Sequence, residues 1–494
     1  MKVNKKAKEV IQLVLLILGG AVTITGGTTG NLDVMSSGVI ILWLDNVWYA
    51  AMDFQKRFHF FVFQITFFTF LMGRMVVNYL DGKKWWLEAE QVTKNNVFAL
   101  TVMALSLVAM LIGAYLTEKL CIKSNKAIKK EKEKKAQFKK NLQSVALLMF
   151  FVTMIFFAIQ EGEKLIYMAG KSYLDYYTGF HSQLPGIVYT IASFMKYSLC
   201  IYLATMPYKK RTIIPLVLYE FSAIPSLLVG MRNPFIQNAL FILAYYVLRN
   251  VIDNKEKWIG KIEKIILVVG IPSTLIFMTA FAFIRSGASV RNANPFKLLL
   301  GFFEGQGVTI NVLSRGYGYC LNLPERDFRN YTFGGIIDYF VHGTVGQRLF
   351  GTSPLPDGNC YTNGRLSNNL AHNLSYTVMQ DNYLKGQGLG SSYLLENYID
   401  FGYIGVAVFS LVLGGILIYF MRGIKYNNLL NIIIMVSLTG IFYIPRAEAT
   451  GWLTFIVTIQ FWACTVGCYV GAWIIENNQW IYVLFKKLRL FPKE

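Results

Sequence analysis

Charge is scarce in this chain. Asp, Glu, Lys and Arg make up 15% of its 494 residues, against 54% hydrophobic residues. A soluble protein of this length would divide into a few domains, each needing a polar surface that so few charges do not supply. Acidic residues are the scarcer kind, 28 against 48 lysines and arginines, which leaves a net charge of +20. That excess does not indicate nucleic-acid binding, because much of it lies in short loops between apolar runs. It is the positive-inside pattern that anchors cytoplasmic loops of a membrane protein. Histidine is limited to four residues with no HxxxH or HExxH pair, so no metal site is expected. Six cysteines do not build a disulfide scaffold in a chain this long. No internal repeat is evident, which weighs against an inverted-repeat transporter. No small-x-small cleavage site follows the first apolar run, so that run reads as a retained span.

What is present is a series of apolar runs of roughly 20 residues, the length that crosses ~30 Å of hydrocarbon. The predicted fold class is an all-α polytopic integral membrane protein with about twelve transmembrane helices and a long extracytoplasmic loop. Spans are predicted at 9–27, 34–52, 58–80, 94–117, 143–164, 186–206, 213–231, 234–252, 263–284, 402–421, 428–445 and 451–475. With the N-terminus inside, Gln55-Lys56-Arg57, the lysine run 123–140, Lys209-Lys210-Arg211, Lys255 to Lys264 and the basic tail all fall on the cytoplasmic side. Three regions follow. Residues 1–284 hold spans one to nine and a Lys-rich cytoplasmic loop at 118–142. Residues 285–401 form the large extracytoplasmic loop, and 402–494 hold the last three spans and a basic cytoplasmic tail.

Inside the long loop, Asn294-Pro295 is a helix start, a cap followed by proline at the first helical position. The apolar positions after it, Phe296, Leu299, Leu300, Phe303 and Val308, suggest an interfacial helix. Gly334 to Val345 reads as a second short helix, and 352–369, rich in Gly, Pro, Asn and Ser, as irregular loop. Cys320 and Cys360 both fall here and are candidates to pair in an oxidising compartment.

The loop prefers arginine. It carries Arg285, Arg291, Arg315, Arg326, Arg329, Arg348 and Arg365 against only Lys297 and Lys385, whereas the 118–142 connector has lysines and no arginine. Anchoring needs only charge; a planar guanidinium fork adds bidentate binding of phosphate or carboxylate. An arginine-selected surface above the membrane therefore suggests an anionic, phosphate-bearing substrate. The competing reading pairs these arginines with the loop's own carboxylates, Arg326 and Arg329 above all. Arg285 and Arg291 open the loop, and Arg232 sits at the hairpin between spans seven and eight, all near headgroup depth.

His342 and His372 lie in the same loop, and neutral imidazole is the usual proton acceptor near pH 7. The segment Lys385-Gly386-Gln387-Gly388-Leu389-Gly390-Ser391-Ser392, running to Glu396, allows close backbone approach to an anion, with a serine step placed to cap the next helix. It has no βαβ context and is no dinucleotide fingerprint.

Together with its place just before a span, that segment resembles the GxGxGSSxxxE stretch of bacterial O-antigen and capsular polysaccharide polymerases of the Wzy type. The resemblance extends to the long loop, the arginines that open it and the Pro445-Arg446-Ala447-Glu448 turn between the last two spans. It implies a metal-independent membrane glycosyltransferase without a cofactor, of GT-C-like architecture related to the O-antigen ligases, in the bacterial cytoplasmic (inner) membrane with both termini cytoplasmic. Its substrates would be undecaprenyl-diphosphate-linked oligosaccharides, joined at the outer face for O-antigen, capsule or exopolysaccharide. Membrane lipids, a flippase and a chain-length regulator would be its partners, and nucleic acid would not. The departing diphosphate would be held by Arg232, Arg285, Arg291, Arg315, Arg348, Arg446 and the segment Gly388, Gly390, Ser391 and Glu396. The acceptor hydroxyl needs a base, for which His372, His342 and Glu304 are the candidates. A lipid-linked oligosaccharide flippase or other transporter, and a ligase-like glycosyltransferase, are the alternatives.

Overall fold

The structure, a computed structural model, describes residues 5–83, 92–124, 134–253, 256–285, 294–326, 328–423 and 427–487. These residues form helices, turns and loops, with no strand among them. Twelve of the described helices are long and apolar enough to cross a bilayer. The first nine are α1 (Lys6–Thr29), α2 (Leu32–Met52), α3 (Phe58–Leu80), α4 (Thr93–Leu120), α5 (Gln137–Met168), α6 (Gly186–Ala204), α7 (Lys209–Val229), α8 (Asn233–Ile252) and α9 (Lys261–Ala282). Short helices follow, among them α10 (Pro295–Gln306), α11 (Ile310–Gly318), α12 (Gly334–His342), α13 (Thr344–Phe350), α14 (Tyr361–Leu366) and α15 (Leu370–Met379). Three further spans close the series: α16 (Tyr393–Gly423), α17 (Asn428–Arg446) and α18 (Ile459–Asn477).

The predicted spans recur with two informative differences. The tenth begins at Tyr393, nine residues before the predicted 402, because α16 carries a break at Gly402 (φ 64°, ψ −159°). Only glycine adopts that backbone without strain, so the first turns of α16 leave the line of the span and carry Glu396 and Asp400 with the loop. The twelfth begins at Ile459, since residues 454–457 form a 3-10 turn and the Thr458 side chain caps the helix by accepting from Phe461 N. The Asn294 cap forms as predicted, its Oδ1 accepting from Phe296 N at 2.9 Å. The Gly334 to Val345 segment is not one helix: Gly343 separates α12, which ends at His342, from α13. The stretch read as irregular contains α14, whose first turn is capped by Cys360. Cys360 and Cys320 are free thiols.

The chain forms two compact units. One comprises Met1–Cys121, Ile259–Met421 and Phe442–Gly451; the other comprises Ile122–Trp258, Arg422–Ile441 and Trp452–Glu494. In the first unit α1 lies along α2, and α4 meets α16 through a buried polar relay in which Ser106 Oγ lies 2.6 Å from Tyr393 OH and 2.8 Å from Ser410 Oγ. Hydroxyls bridging helices in this way satisfy polar groups that lipid does not hydrate. Arg57 at the start of α3 donates to Glu118 at 2.7 Å and to the Tyr49 carbonyl at 2.5 Å, closing one end of α2, α3 and α4. In the second unit α5 and α6 pack together and α18 packs against both. There Lys164 pairs with Glu161 at 2.5 Å and with Ser226 Oγ at 3.1 Å, a buried charge pair of the kind that survives only with its hydrogen bonds complete.

Candidate functional site

The long loop, α16 as far as Met421 and the turn at 445–450 belong to the first unit. Carboxylates join them. Glu396, fully buried, accepts from Ser391 Oγ at 2.6 Å and from the Ala449 backbone N–H at 2.7 Å. Asp400, one turn further along α16, accepts from the backbone N–H groups of Tyr331 and Thr332 at 2.9 and 2.7 Å. Thr450 Oγ1 then donates to the Thr332 carbonyl at 2.6 Å. A second line runs through two adjacent asparagines. Asn368 donates its backbone N–H and its side-chain amide to Asp338, each at 2.8 Å, and Asn369 Nδ2 donates to Glu448 at 2.6 Å. The turn after α17 is thus held by residues from three parts of the loop.

The two acids of this second line are both perturbed. Burial raises Asp338 above the usual carboxylate range, against the pull of its two hydrogen bonds from Asn368. Burial also raises Glu448, and the neighbouring Asp338 carboxylate raises it further. Like charges this close disfavour double ionisation, so the pair holds a proton more tightly than free carboxylates do.

The histidines are set differently. His372 stands on α15, where burial lowers its pKa and keeps the ring neutral. Its Nδ1 lies 2.8 Å from Tyr383 OH, and that hydroxyl donates to the Cys360 carbonyl at 3.3 Å. The Tyr383 hydroxyl thus sits between the Cys360 carbonyl and Nδ1 and fixes the ring through that nitrogen, and no described hydrogen bond engages Nε2. His342, at the end of α12, is fixed alike: a carbonyl only accepts, so Nδ1–H donates to Ser353 O at 2.8 Å.

An arginine absent from the predicted set lies close to this network. α3 widens into a π-turn at Phe68–Met72, a deformation frequent at functional sites. Just beyond it α3 touches α10 backbone to backbone. A Cβ at Gly73 would stand 2.8 Å from the Phe303 carbonyl oxygen, and one at Gly307 would stand 2.2 Å from Arg74 N, so both positions require glycine. Arg74 Nε is buried without a hydrogen-bond partner among the described residues. Next to Gly307, Gln306 holds Arg446, whose Nη1 donates to its carbonyl at 3.1 Å and its amide oxygen at 3.2 Å. The Arg446 guanidinium also lies 5.9 Å from the Phe70 ring, about one turn before Arg74 on α3. The backbone of Arg74 and the side chain of Arg446 therefore both meet the end of α10. Arg74 escaped the sequence reading because it lies within an apolar run and reads as one tolerated charge in a span.

The other predicted residues divide. Arg326 donates to the Leu366 carbonyl, to Ser367 O at 2.8 Å and to Asn373 Oδ1 at 3.1 Å. Arg329 donates to Pro324 O at 3.2 Å, so among the described residues the hydrogen bonds of both run to neutral loop oxygens. Glu304 on α10 and Arg315 on α11 are half-buried, and Arg348 on α13 is exposed. Arg232 belongs to the second unit, at the start of α8. Arg285 ends the helix Ile271–Arg285, and Arg291 lies outside the described residues. In the glycine segment Gly386 and Gly390 adopt φ of 91° and 86°, and Leu389 N–H is taken by Ser375 Oγ at 2.9 Å. Ser391 is buried with Glu396 as its partner rather than capping α16. Among the described residues no group of three or more His, Cys, Asp or Glu is gathered to hold a metal ion.

Compared with known proteins, residues 9–478 match the family model described as O-antigen polysaccharide polymerase Wzy. No curated protein and no solved structure matches the chain.

Proposed function

The chain belongs to the O-antigen polysaccharide polymerase Wzy family, and from that premise we propose that it joins undecaprenyl-diphosphate-linked oligosaccharide repeat units at the outer face of the cytoplasmic membrane. A polysaccharide polymerase on a multi-pass scaffold follows from the family and the twelve apolar helices. The lipid-diphosphate donor, the outer-face site and the residue roles are our reading.

In that reading the acceptor hydroxyl attacks the anomeric carbon of the donor glycan. A new glycosidic C–O bond forms, the C–O bond to the diphosphate breaks, and the lipid diphosphate leaves with the electron pair. His372 Nε2 takes the hydroxyl proton, with Nδ1 held by Tyr383. Arg74 and Arg446 receive the charge that develops on the diphosphate, because fixed cations in a water-poor site need no reorganisation as the bond breaks. His342 and Glu304 are the alternative bases. Arg285, Arg291, Arg315 and Arg348 guide the anionic lipid toward the site, and Arg232, on the second unit, is a separate headgroup contact. Glu396, Ser391 and the glycines hold the end of α16 and the 445–450 turn in register. The observation that carries the proposal is the half-buried, neutral His372, held through Nδ1 and with no described hydrogen bond at Nε2, on the same unit as Arg74 and Arg446.

The test is purified protein in nanodiscs, supplied only with lipid-diphosphate-linked repeat units, beside Arg74→Ala and His372→Ala. A ladder of longer glycans with released lipid diphosphate, lost in both variants, is expected. Substrate bound without a ladder or released lipid would sink the proposal and favour a flippase. A ladder appearing only when a separate lipid acceptor is added would favour a ligase.

A further inference from the structure

The long loop lines an open cavity of about 670 Å³ that the scheme above does not use. Its size falls within the range of small-ligand sites, ~300–1,000 Å³. Its walls come from the end of α11 and the turn after it (Tyr319, Asn322), from Glu325, and from the second half of α15 and its end (Tyr376, Thr377, Gln380). Arg326 joins the walls by donating to Leu366 O, Ser367 O and Asn373 Oδ1.

The lining selects among ligand classes. A phosphate would find one arginine open to it, the exposed Arg365 lying 5.2 Å over the Tyr361 ring, but would also meet the Glu325 carboxylate, and both terminal nitrogens of Arg326 already serve loop oxygens. A lipid tail would strip water from an asparagine, a glutamine, a threonine and a glutamate with nothing to replace it. A saccharide matches both parts: tyrosine faces pack on its C–H surface, while amide, hydroxyl and carboxylate groups pair with its hydroxyls. One backbone feature agrees. Gln380 is one of two non-glycine residues among those described with positive φ (42°, ψ −105°), and it lines the cavity. Such strain, of order 1–3 kcal/mol, persists where the surrounding fold imposes it, often at ligand clamps.

The cavity also adjoins the proposed base. Tyr376 follows His372 by one turn of α15, and the Tyr383 ring lies 5.8 Å from each of them. We infer that the cavity is the acceptor subsite, binding the sugars that flank the hydroxyl from which His372 takes a proton and setting which glycan is accepted. This rests on the polymerase reading, in which the base acts on the acceptor and not on the donor.

The experiment uses the full chain in nanodiscs and, as probe, the repeat-unit oligosaccharide freed of lipid and diphosphate. Binding is followed by saturation-transfer NMR and titration calorimetry, for the wild type and for Tyr319→Ala, Asn322→Ala and Glu325→Gln, all at exposed positions. Binding by the wild type, weakened about tenfold or more in the variants, is expected. In the ladder assay the same variants should need about tenfold more lipid-linked unit for half-maximal rate, with the maximal rate within about twofold. No glycan binding by the wild type, or binding equal in all variants, would overturn the subsite while leaving a wild-type ladder intact. Absence of that ladder would instead overturn the polymerase reading.

Discussion

The Glu396 carboxylate accepts the Ala449 backbone N–H at 2.7 Å, joining the first turn of α16 to the turn after α17 across 53 residues of chain. Its other oxygen is held by Ser391 at 2.6 Å, so both oxygens of a fully buried acid are satisfied within the protein. This makes Glu396 a positioning residue for the 445–450 turn, and with it for Arg446 and Glu448.

Removing that brace should act through stability. Glu396→Ala leaves a buried amide and a buried hydroxyl without partners, at ~1–3 kcal/mol each. Thermal unfolding in detergent should fall well below the wild type, with Glu396→Gln intermediate. A Glu396→Ala protein that melts with the wild type would refute the bracing role.

Arg74 should behave in the opposite way. Its Nε has no described partner, so Arg74→Ala should leave the melting temperature nearly unchanged while lowering kcat/KM by about 10²–10³, the scale of losing one transition-state donor. Arg74→Lys should recover part of the loss, since charge returns without the planar fork. Arg326→Ala is the contrast, because its three hydrogen bonds hold the loop and its loss should appear first in stability.

The pH profile should report on His372. Burial lowers its pKa from the ordinary 6.5, so the neutral ring persists below that value and the acid limb of kcat/KM should lie on the acid side of 6.5. His372→Ala should lower kcat about 10²–10⁴-fold, the usual scale of general-base catalysis. Tyr383→Phe removes the group that orients Nδ1 and should lower kcat without abolishing it, with less effect on KM. An acid limb unchanged in His372→Gln would transfer the base role to His342 or Glu304.

Asp338 and Glu448 carry a stability prediction of definite sign. Both carboxyls are raised in the folded state, so the folded protein holds protons that the unfolded chain releases above the ordinary values of 3.8 and 4.5. Their contribution is present at acid pH and is lost as pH rises through the folded values. Melting temperature should therefore decline over that window more steeply in the wild type than in Asp338→Asn. In that variant the charge pressing on Glu448 is gone, and a slope equal to the wild type would contradict the coupling.

Much of this protein is legible in one dimension. Apolar runs of membrane-spanning length define the twelve spans, because each span answers to the bilayer and not to its neighbours. The start of α10 is equally local, since Asn294 and Pro295 satisfy and pre-form a helix end by themselves. The arginine-rich loop, its two histidines and the glycine segment were also visible as composition and short pattern. Tertiary structure decided the rest. The extension of α16 back to Tyr393 depends on a left-handed Gly402, and a glycine in a sequence does not announce its φ. Ser391 and Glu396, read from the motif as substrate ligands, meet each other and Ala449, a partner that only folding brings near. Arg74 was hidden in a span until the close approach of α3 to α10 set its backbone against Gly307, next to the Gln306 that holds Arg446. Asn368 and Asn369 show the same limit, since their partners lie 30 and 79 residues away. Local pattern determines which segments become helices and cross a membrane; which side chains converge on a site depends on long-range contacts that no spacing along the chain encodes.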